Sequence, residues 1–237
     1  YLSEFNEAKS LAKKIGVFLK KQENISVKSS LNKDIKLDLD LIANDLIKNE
    51  IKKFSIHNIL SEESGIYKSK LANEPYWIID PIDGSMNYLR KFPYSSVSIA
   101  FWQNSEPIFG VIYDIESEIC YSGYVGFGAQ VDDNNLPPPL KKAKSNSIIA
   151  TGFPLALKLD ENYIKEFYDV VKDYKKVRMI GCASLSIVLV LIGVFDSYYE
   201  KNIKIWDVAA GIALAKSLNI PFIKYVKKEN NLINIHL

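Results

Sequence analysis

Two amphipathic helical stretches at the front of the chain, an antiparallel strand pair in its middle, and strands interleaved with helices towards its end predict an α+β protein with mixed and antiparallel sheets. Phe5, Ala8, Leu11, Ala12, Ile15, Phe18 and Leu19 recur at helical spacing and define the first helix. A second runs from about Leu41 to Phe54, with Ile42, Leu46, Ile47, Ile51 and Phe54 on its apolar side. The polar stretch SVKSSLNKDIKLDLD between them lacks apolar periodicity and reads as a loop or hairpin.

Trp77–Ile79 is a short apolar strand. Val97, Ile99 and Phe101 alternate with Ser96, Ser98 and Ala100, the period of two that marks a strand. Asn104-Ser-Glu-Pro107 turns that strand into a second one, Ile108–Tyr113. Pro137-Pro138-Pro139 suits neither a helix interior nor a central strand, so a connection is placed there. It divides a single domain, residues 1–237, into sub-halves of about 1–140 and 141–237. The second half reads as strand (Ser147–Thr151), helix (about Asp160–Tyr174), buried helix (Ala183–Val194), strand (Phe195–Tyr199) and helix (Trp206–Leu218), which Pro221 prevents from running on.

With 48% hydrophobic and 24% charged residues the composition is that of a globular protein rather than a disordered chain. A net charge of +2 gives no basis for a nucleic-acid or anionic-membrane partner. The apolar run Leu185–Phe195 falls short of the roughly 20 residues a membrane span needs. Cys120 and Cys182 lie far apart, with neither CxxC spacing nor a neighbouring His, so no disulfide framework or zinc site is expected and a cytoplasmic location fits. The start YLSEFNEAKS, without Met, points to a missing extreme N-terminus. His57 and His236 are expected to be solvated.

The chemistry concentrates in acids. Asp80 and Asp83 close an apolar run in WIIDPIDGSMNY, and like charges so close need a proton or a cation between them. SEESG adds Glu62 and Glu63, and KIWDVAAG adds Asp207 in the first turn of a helix. Taken singly, Asp-Pro initiates turns, a Glu pair is a solvated loop, and an acid suits a helix N-terminus. Together they supply the hard oxygen ligands that Mg²⁺ takes, enough for two ions of the kind that split phosphate esters. Gly84-Ser85-Met86-Asn87 reads as a tight turn into a short helix, whose N-terminus suits phosphate oxygens.

At this point the chain resembles the inositol monophosphatase family of lithium-sensitive, Mg²⁺-dependent phosphatases. WIIDPIDGSMNY is similar to the signature WxIDPIDGTxNF, KIWDVAAG to xxWDxAAG, and LSEESG to the intervening GEES segment; the similarity runs from about Lys28 to Gly211. The resemblance implies a layered α/β/α/β/α sandwich and two Mg²⁺ ions, with a weaker third leaning on Glu62. Glu62, Asp80 and the Ile82 carbonyl would hold the first ion. Asp80, Asp83 and Asp207 would hold the second. Gly84 and Ser85 match the phosphate-holding turn, and Asp40 matches the acid that helps the adjacent hydroxyl activate water, with Asp38 a neighbouring candidate and Lys28 bordering the loop. Gly181, Cys182 and Ala183, in RMIGCASLS, match the RxxGSAA or RxxGTAA segment on the alcohol side. Asp196 and Glu200 match positions whose side chain or neighbours bind inositol hydroxyls.

Departures from the family pattern bear on substrate choice. Ser85 stands for the usual threonine, Ser61 for the glycine of GEES, and Cys182 for Ser or Thr. After WDVAAG the usual Glu-Ala-Gly-Gly is absent. The expected reaction is direct hydrolysis of a phosphate monoester by metal-activated water, oriented by Glu62 or by the Asp40–Ser85 pair. Inositol-1-phosphate or a similar polyol phosphate leads. Other phosphates (3′-phosphoadenosine 5′-phosphate, fructose 1,6-bisphosphate, histidinol phosphate, NADP) and a transcription antitermination or ribosome-assembly role remain as alternatives. A homodimer with no membrane partner is expected.

Overall fold

The computed structural model describes residues 1–23, 25–31, 34–64, 74–153, 160–220, 224–227 and 231–237. Pro221 therefore lies outside the described residues. The chain opens with helix α1 (Leu2–Lys20), the hairpin β1 (Val27–Leu31) and β2 (Asp34–Leu37), and helix α2 (Asp38–Phe54). A first sheet then forms from β3 (Asn58–Ser61), β4 (Tyr76–Asp83), β5 (Ser96–Gln103), β6 (Glu106–Asp114), β7 (Ile119–Tyr124), β8 (Gly128–Val131) and β9 (Asn134–Leu136), with the short helix α3 (Ser85–Leu89) between β4 and β5. The order is sequential; β3 and β4 are parallel and every later pair is antiparallel.

The second sheet draws on β10 (Ile148–Thr151), β11 (Lys176–Arg178), β12 (Ser197–Lys204), β13 (Lys224–Lys227) and β14 (Leu232–His236), in the order β11-β10-β12-β14-β13. Its β10 contacts are parallel and its β14 contacts antiparallel. Helices α4 (Glu161–Val171), α5 (Ala183–Leu191) and α6 (Ile205–Ser217) complete the chain. Five layers result: α1 and α2, the first sheet, α5 and α6, the second sheet, and α4, which the Lys201–Glu166 ion pair ties to β12.

Two apolar cores follow from this layering. Phe5, Ile15 and Ile47 of the outer helices bury one face of the first sheet through Trp77, Phe101 and Phe109. The opposite face meets α5 and α6, which are apolar on nearly every side because sheets flank them both. Gly110 lets α6 approach β6 closely: a Cβ there would sit 2.5 Å from the Ala210 carbonyl oxygen. That approach sets the depth at which the N-terminus of α6, and Asp207 with it, meets the first sheet.

Several elements differ from their sequence expectation. Helix α2 starts at Asp38 rather than near Leu41, because the Asp40 carboxylate accepts the Leu37 amide at 2.7 Å and closes the first turn. Strand β4 runs on through Pro81 to Asp83, and β12 lies later than Phe195–Tyr199. Helix α5 stops at Leu191, where Gly193 takes a left-handed φ of 78°. Strands β7 to β9, β11, β13 and β14 carried no sequence assignment. Both histidines pack rather than standing free in solvent: His57 against Tyr1 and Phe101, His236 against Tyr199.

Candidate active site

A cavity of about 310 Å³ opens where β4, α3, β12 and the N-termini of α5 and α6 meet. Asp80 and Asp83 reach it together because β4 is irregular. Residues three apart on a regular strand face opposite sides of the sheet. The β4–β5 register shifts between Asp80 and Asp83, a bulge around Pro81, which has no amide for the ladder. The extra residue returns Asp83 to the side that Asp80 faces.

Glu62 enters from a 3-10 turn, Glu62–Ser64, directly after β3, and Asp207 from the first turn of α6. The four acids thus line one cavity from three chain segments. Among the described residues, no three His, Cys, Asp or Glu side chains close into a coordination cluster by themselves. Their charges still act on one another. Loss of hydration raises the Asp80 pKa well above the usual carboxylate range, and Glu62, Asp83, Asp207 and Asp40 raise it further. Asp207 is raised well above its ordinary value by the same loss, then by Asp83, Glu62 and Glu200, with Lys204 opposing. Asp83 is raised by burial against a set of hydrogen bonds that lower it. Hard oxygen donors that repel one another out of water are the chemistry a divalent cation relieves, so this donor set fits such an ion.

Gly84 takes φ 85° at the N-cap of α3, and a Cβ on it would meet the Tyr94 carbonyl at 2.8 Å, so only glycine serves this turn. Ser85 is the first helical residue. Its hydroxyl lies 2.9 Å from the Ile82 carbonyl and 3.3 Å from Asp40 Oδ1, and its single proton can serve only one at a time. Buried Asp40 stands behind the cavity, with one oxygen on the Leu37 amide and the other towards Ser85.

Gly181, Cys182, Ala183 and Glu200 line the same cavity, with Gly181 and Cys182 close against the Gly84 turn. Gly181 has φ 71° and faces the Asn87 side chain, whose amide donates to the Ile180 and Tyr94 carbonyls and so ties this part of the lining to α3. Glu200 Oε2 accepts the Tyr198 hydroxyl at 2.7 Å. Its carboxylate lies over Gly152, where a Cβ would come within 2.7 Å of the same oxygen. Burial raises Glu200 to about 7, the Tyr198 bond lowers it, and the Asp83 charge raises it.

Three expected residues stand elsewhere. Asp196 precedes β12, four residues before Glu200; its carboxylate accepts the Ile148 amide at 2.8 Å and pairs with Lys142. In this structure Asp196 does not line the cavity, and its carboxylate ties the start of β10 to the start of β12. Exposed Asp38 accepts the Ser26 hydroxyl at 2.5 Å, and Lys28 is exposed on β1; neither lines the cavity. The sequence reading missed Gly152, Ser184 and Lys204. Lys204 was legible in principle, three residues before Asp207; Ser184 stood two residues after the Cys182 already singled out.

A five-layer fold with buried carboxylates gathered beside a glycine turn defines a phosphoric monoester hydrolase of the divalent-metal class. The chain belongs to the inositol monophosphatase family, which it matches over residues 2–228. It is 32% identical to inositol monophosphatase 1 of Sus scrofa over 207 residues, 84% of this chain and 74% of the relative. It is equally identical to the Nus factor SuhB of Xylella fastidiosa over 200 residues, 84% of this chain and 72% of that one. Its fold superposes on the inositol monophosphatase of Anabaena with a TM-score of 0.82 at 28% identity, covering 99% of this chain and 90% of that one. Among the described residues no helix is long and apolar enough to cross a membrane.

Proposed function

We propose that the chain hydrolyses the phosphate monoester of a polyol, inositol-1-phosphate or a similar compound, with Mg²⁺ as its divalent cation. The observation that carries this reading is the position of Glu200: a buried carboxylate that lines the same cavity as Gly84, Ser85 and the four acids. Glu62, Asp80, Asp83, Asp207 and the Ile82 carbonyl would hold the cations. When bound, such ions neutralise phosphate charge and make water a nucleophile at neutral pH. Around them the protein binds and orients. The α3 N-terminus presents amides to phosphate oxygens, and the Ser85 hydroxyl, turned towards Asp40, accepts a proton from the attacking water while donating its own to the carboxylate. Glu200 accepts hydrogen bonds from hydroxyls of the leaving alcohol, which discriminates for polyols and against a second phosphate.

Phosphate release from inositol-1-phosphate, 3′-phosphoadenosine 5′-phosphate, fructose 1,6-bisphosphate, histidinol phosphate and NADP tests the proposal, with Mg²⁺ and with EDTA. The expected result is the highest kcat/KM on inositol-1-phosphate, abolished by EDTA and restored by Mg²⁺. A preference for the adenosine bisphosphate would overturn the polyol assignment, and EDTA-insensitive turnover would overturn the cation.

A further inference from the structure

Asp83 is gripped by the N-terminus of α5. Its Oδ2 accepts the Ser184 amide at 2.7 Å, the Ser184 hydroxyl at 2.5 Å and the Cys182 thiol at 3.2 Å, while Oδ1 has the Ala183 amide at 3.3 Å. A carboxylate only accepts, so the Ser184 hydroxyl is the donor to Asp83, and its one proton is then used. In the 2.5 Å contact between Ser184 and Ser96 the donor must therefore be Ser96. Ser96 stands opposite Asp83 across the β4–β5 ladder, and both serines are fully buried. A directed chain of donors runs from Ser96 to Ser184 to Asp83.

We infer that Ser184, oriented by Ser96, is the positioning residue that fixes Asp83 for cation binding, and that the Cys182 thiol is only a minor partner. The inference rests on the reading of Asp83 as a cation ligand. Three donors fill the capacity of Oδ2 and leave Oδ1, with one long contact, as the oxygen with room for a cation. The thiol is a weak donor, whereas a hydroxyl on a carboxylate is a charge-assisted one. In the GSAA or GTAA pattern that Gly181-Cys182-Ala183-Ser184 resembles, the hydroxyl stands where this chain has Cys182. Here it has moved two residues on, to a side chain that still reaches the same carboxylate. Partners of this kind hold a ligand in one orientation, and losing one costs about 10- to 100-fold in metal affinity.

Titration calorimetry of Mg²⁺ into the EDTA-stripped full chain tests this, with circular dichroism to check the fold. Ser184→Ala is expected to weaken Mg²⁺ binding about 10- to 100-fold. Ser96→Ala, one bond removed from the carboxylate, is expected to weaken it by less. The double change Cys182→Ser with Ser184→Ala should regain affinity over Ser184→Ala alone, because it returns a hydroxyl beside Asp83; a purely structural serine would gain nothing from that exchange. Wild-type affinity in a folded Ser184→Ala protein overturns the inference. Should Ser184→Ala not fold, wild-type affinity in Ser96→Ala overturns it instead. If the unsubstituted chain itself takes up no Mg²⁺, the cation reading falls first and this inference with it.

Discussion

Asp83 combines several hydrogen bonds with a buried charge that a proton or a cation can balance, and the two demands respond differently to substitution. Asparagine at 83 keeps one oxygen for the Ser184 donors, but its amide cannot balance a dication. Asp83→Asn is therefore expected to lower Mg²⁺-dependent phosphate release by about 100-fold or more, the upper end of what even an outer partner commands, with the circular dichroism spectrum retained. Near wild-type rates would mean the ligand set is misassigned. Ser85 separates binding from turnover in a similar way. Ser85→Ala leaves the backbone donors of the turn but removes the hydroxyl facing Asp40, so kcat should fall more than the inhibition constant of inorganic phosphate rises. Equal losses in both would deny the hydroxyl a role in orienting water. The acids were legible from the sequence because apolar runs rarely end in paired carboxylates. Asp196 precedes β12, and four extended positions span about 13 Å, so it and Glu200 meet different surroundings.

Two bulges do much to build the cavity. The β4 bulge aligns Asp80 with Asp83, and a register shift in β12 between Glu200 and Ile203, with Asn202 at φ 55°, turns Asn202, Ile203 and Lys204 into the cavity wall. Neither bulge has a signature in hydrophobic periodicity, which explains why β4 and β12 were read too short. Strands β7 to β9 escaped notice for a related reason: Tyr, Ser, Gly and Gln break the apolar alternation, and successive pairing, β7 on β6, β8 on β7 and β9 on β8, rather than local pattern holds them extended. Through β12 the position of Glu200 becomes a pH dependence. Its pKa is about 7, raised by burial first, against an ordinary 4.5. The ionised form accepts charge-assisted hydrogen bonds on both oxygens, whereas protonation makes one of them a donor, so KM for a polyol phosphate should fall as pH rises through about 7. Mg²⁺ near Asp83 removes part of the repulsion and should move the inflection lower. Glu200→Ala should flatten this dependence and cost about tenfold or more in kcat/KM on the polyol, given about 1.5–3 kcal/mol per charge-assisted bond. An unchanged pH profile in that variant would remove Glu200 from the alcohol site.

The cavity also couples the two sheets. Asp80 and Asp83 belong to the first sheet, while Glu200 and Asp207 follow from β12 and α6, so charge at their junction acts across the five layers. The interleaved strands and helices point only to mixed and antiparallel sheets, and the layering comes from the resemblance to the family; the depth of the junction depends on Gly110, whose role no local pattern announces. In the metal-free protein Asp80, Asp83 and Asp207 have pKa values raised above those of an unfolded chain. Between the unfolded value near 4 and the raised folded values, the native state binds more protons than the unfolded state. Stability must then fall as pH rises through that window, and the loss is complete above the folded pKa values. A cation that binds only the folded chain reverses the loss, by about 2.7 kcal/mol at one hundred times its dissociation constant. For a chain of this length that is roughly 5–10 °C in Tm. Thermal melts should therefore show the EDTA-treated protein losing stability as pH rises above the ordinary carboxylate range near 4, and Mg²⁺ restoring it at pH 7. Asp207→Asn should do the opposite of a simple lesion: with one fewer carboxylate to ionise, it should melt at or above the wild type in EDTA at pH 7 and gain little from Mg²⁺. A wild-type Tm indifferent to EDTA, or an Asp207→Asn protein that still gains the full increment, would show that these acids do not share a cation across the junction.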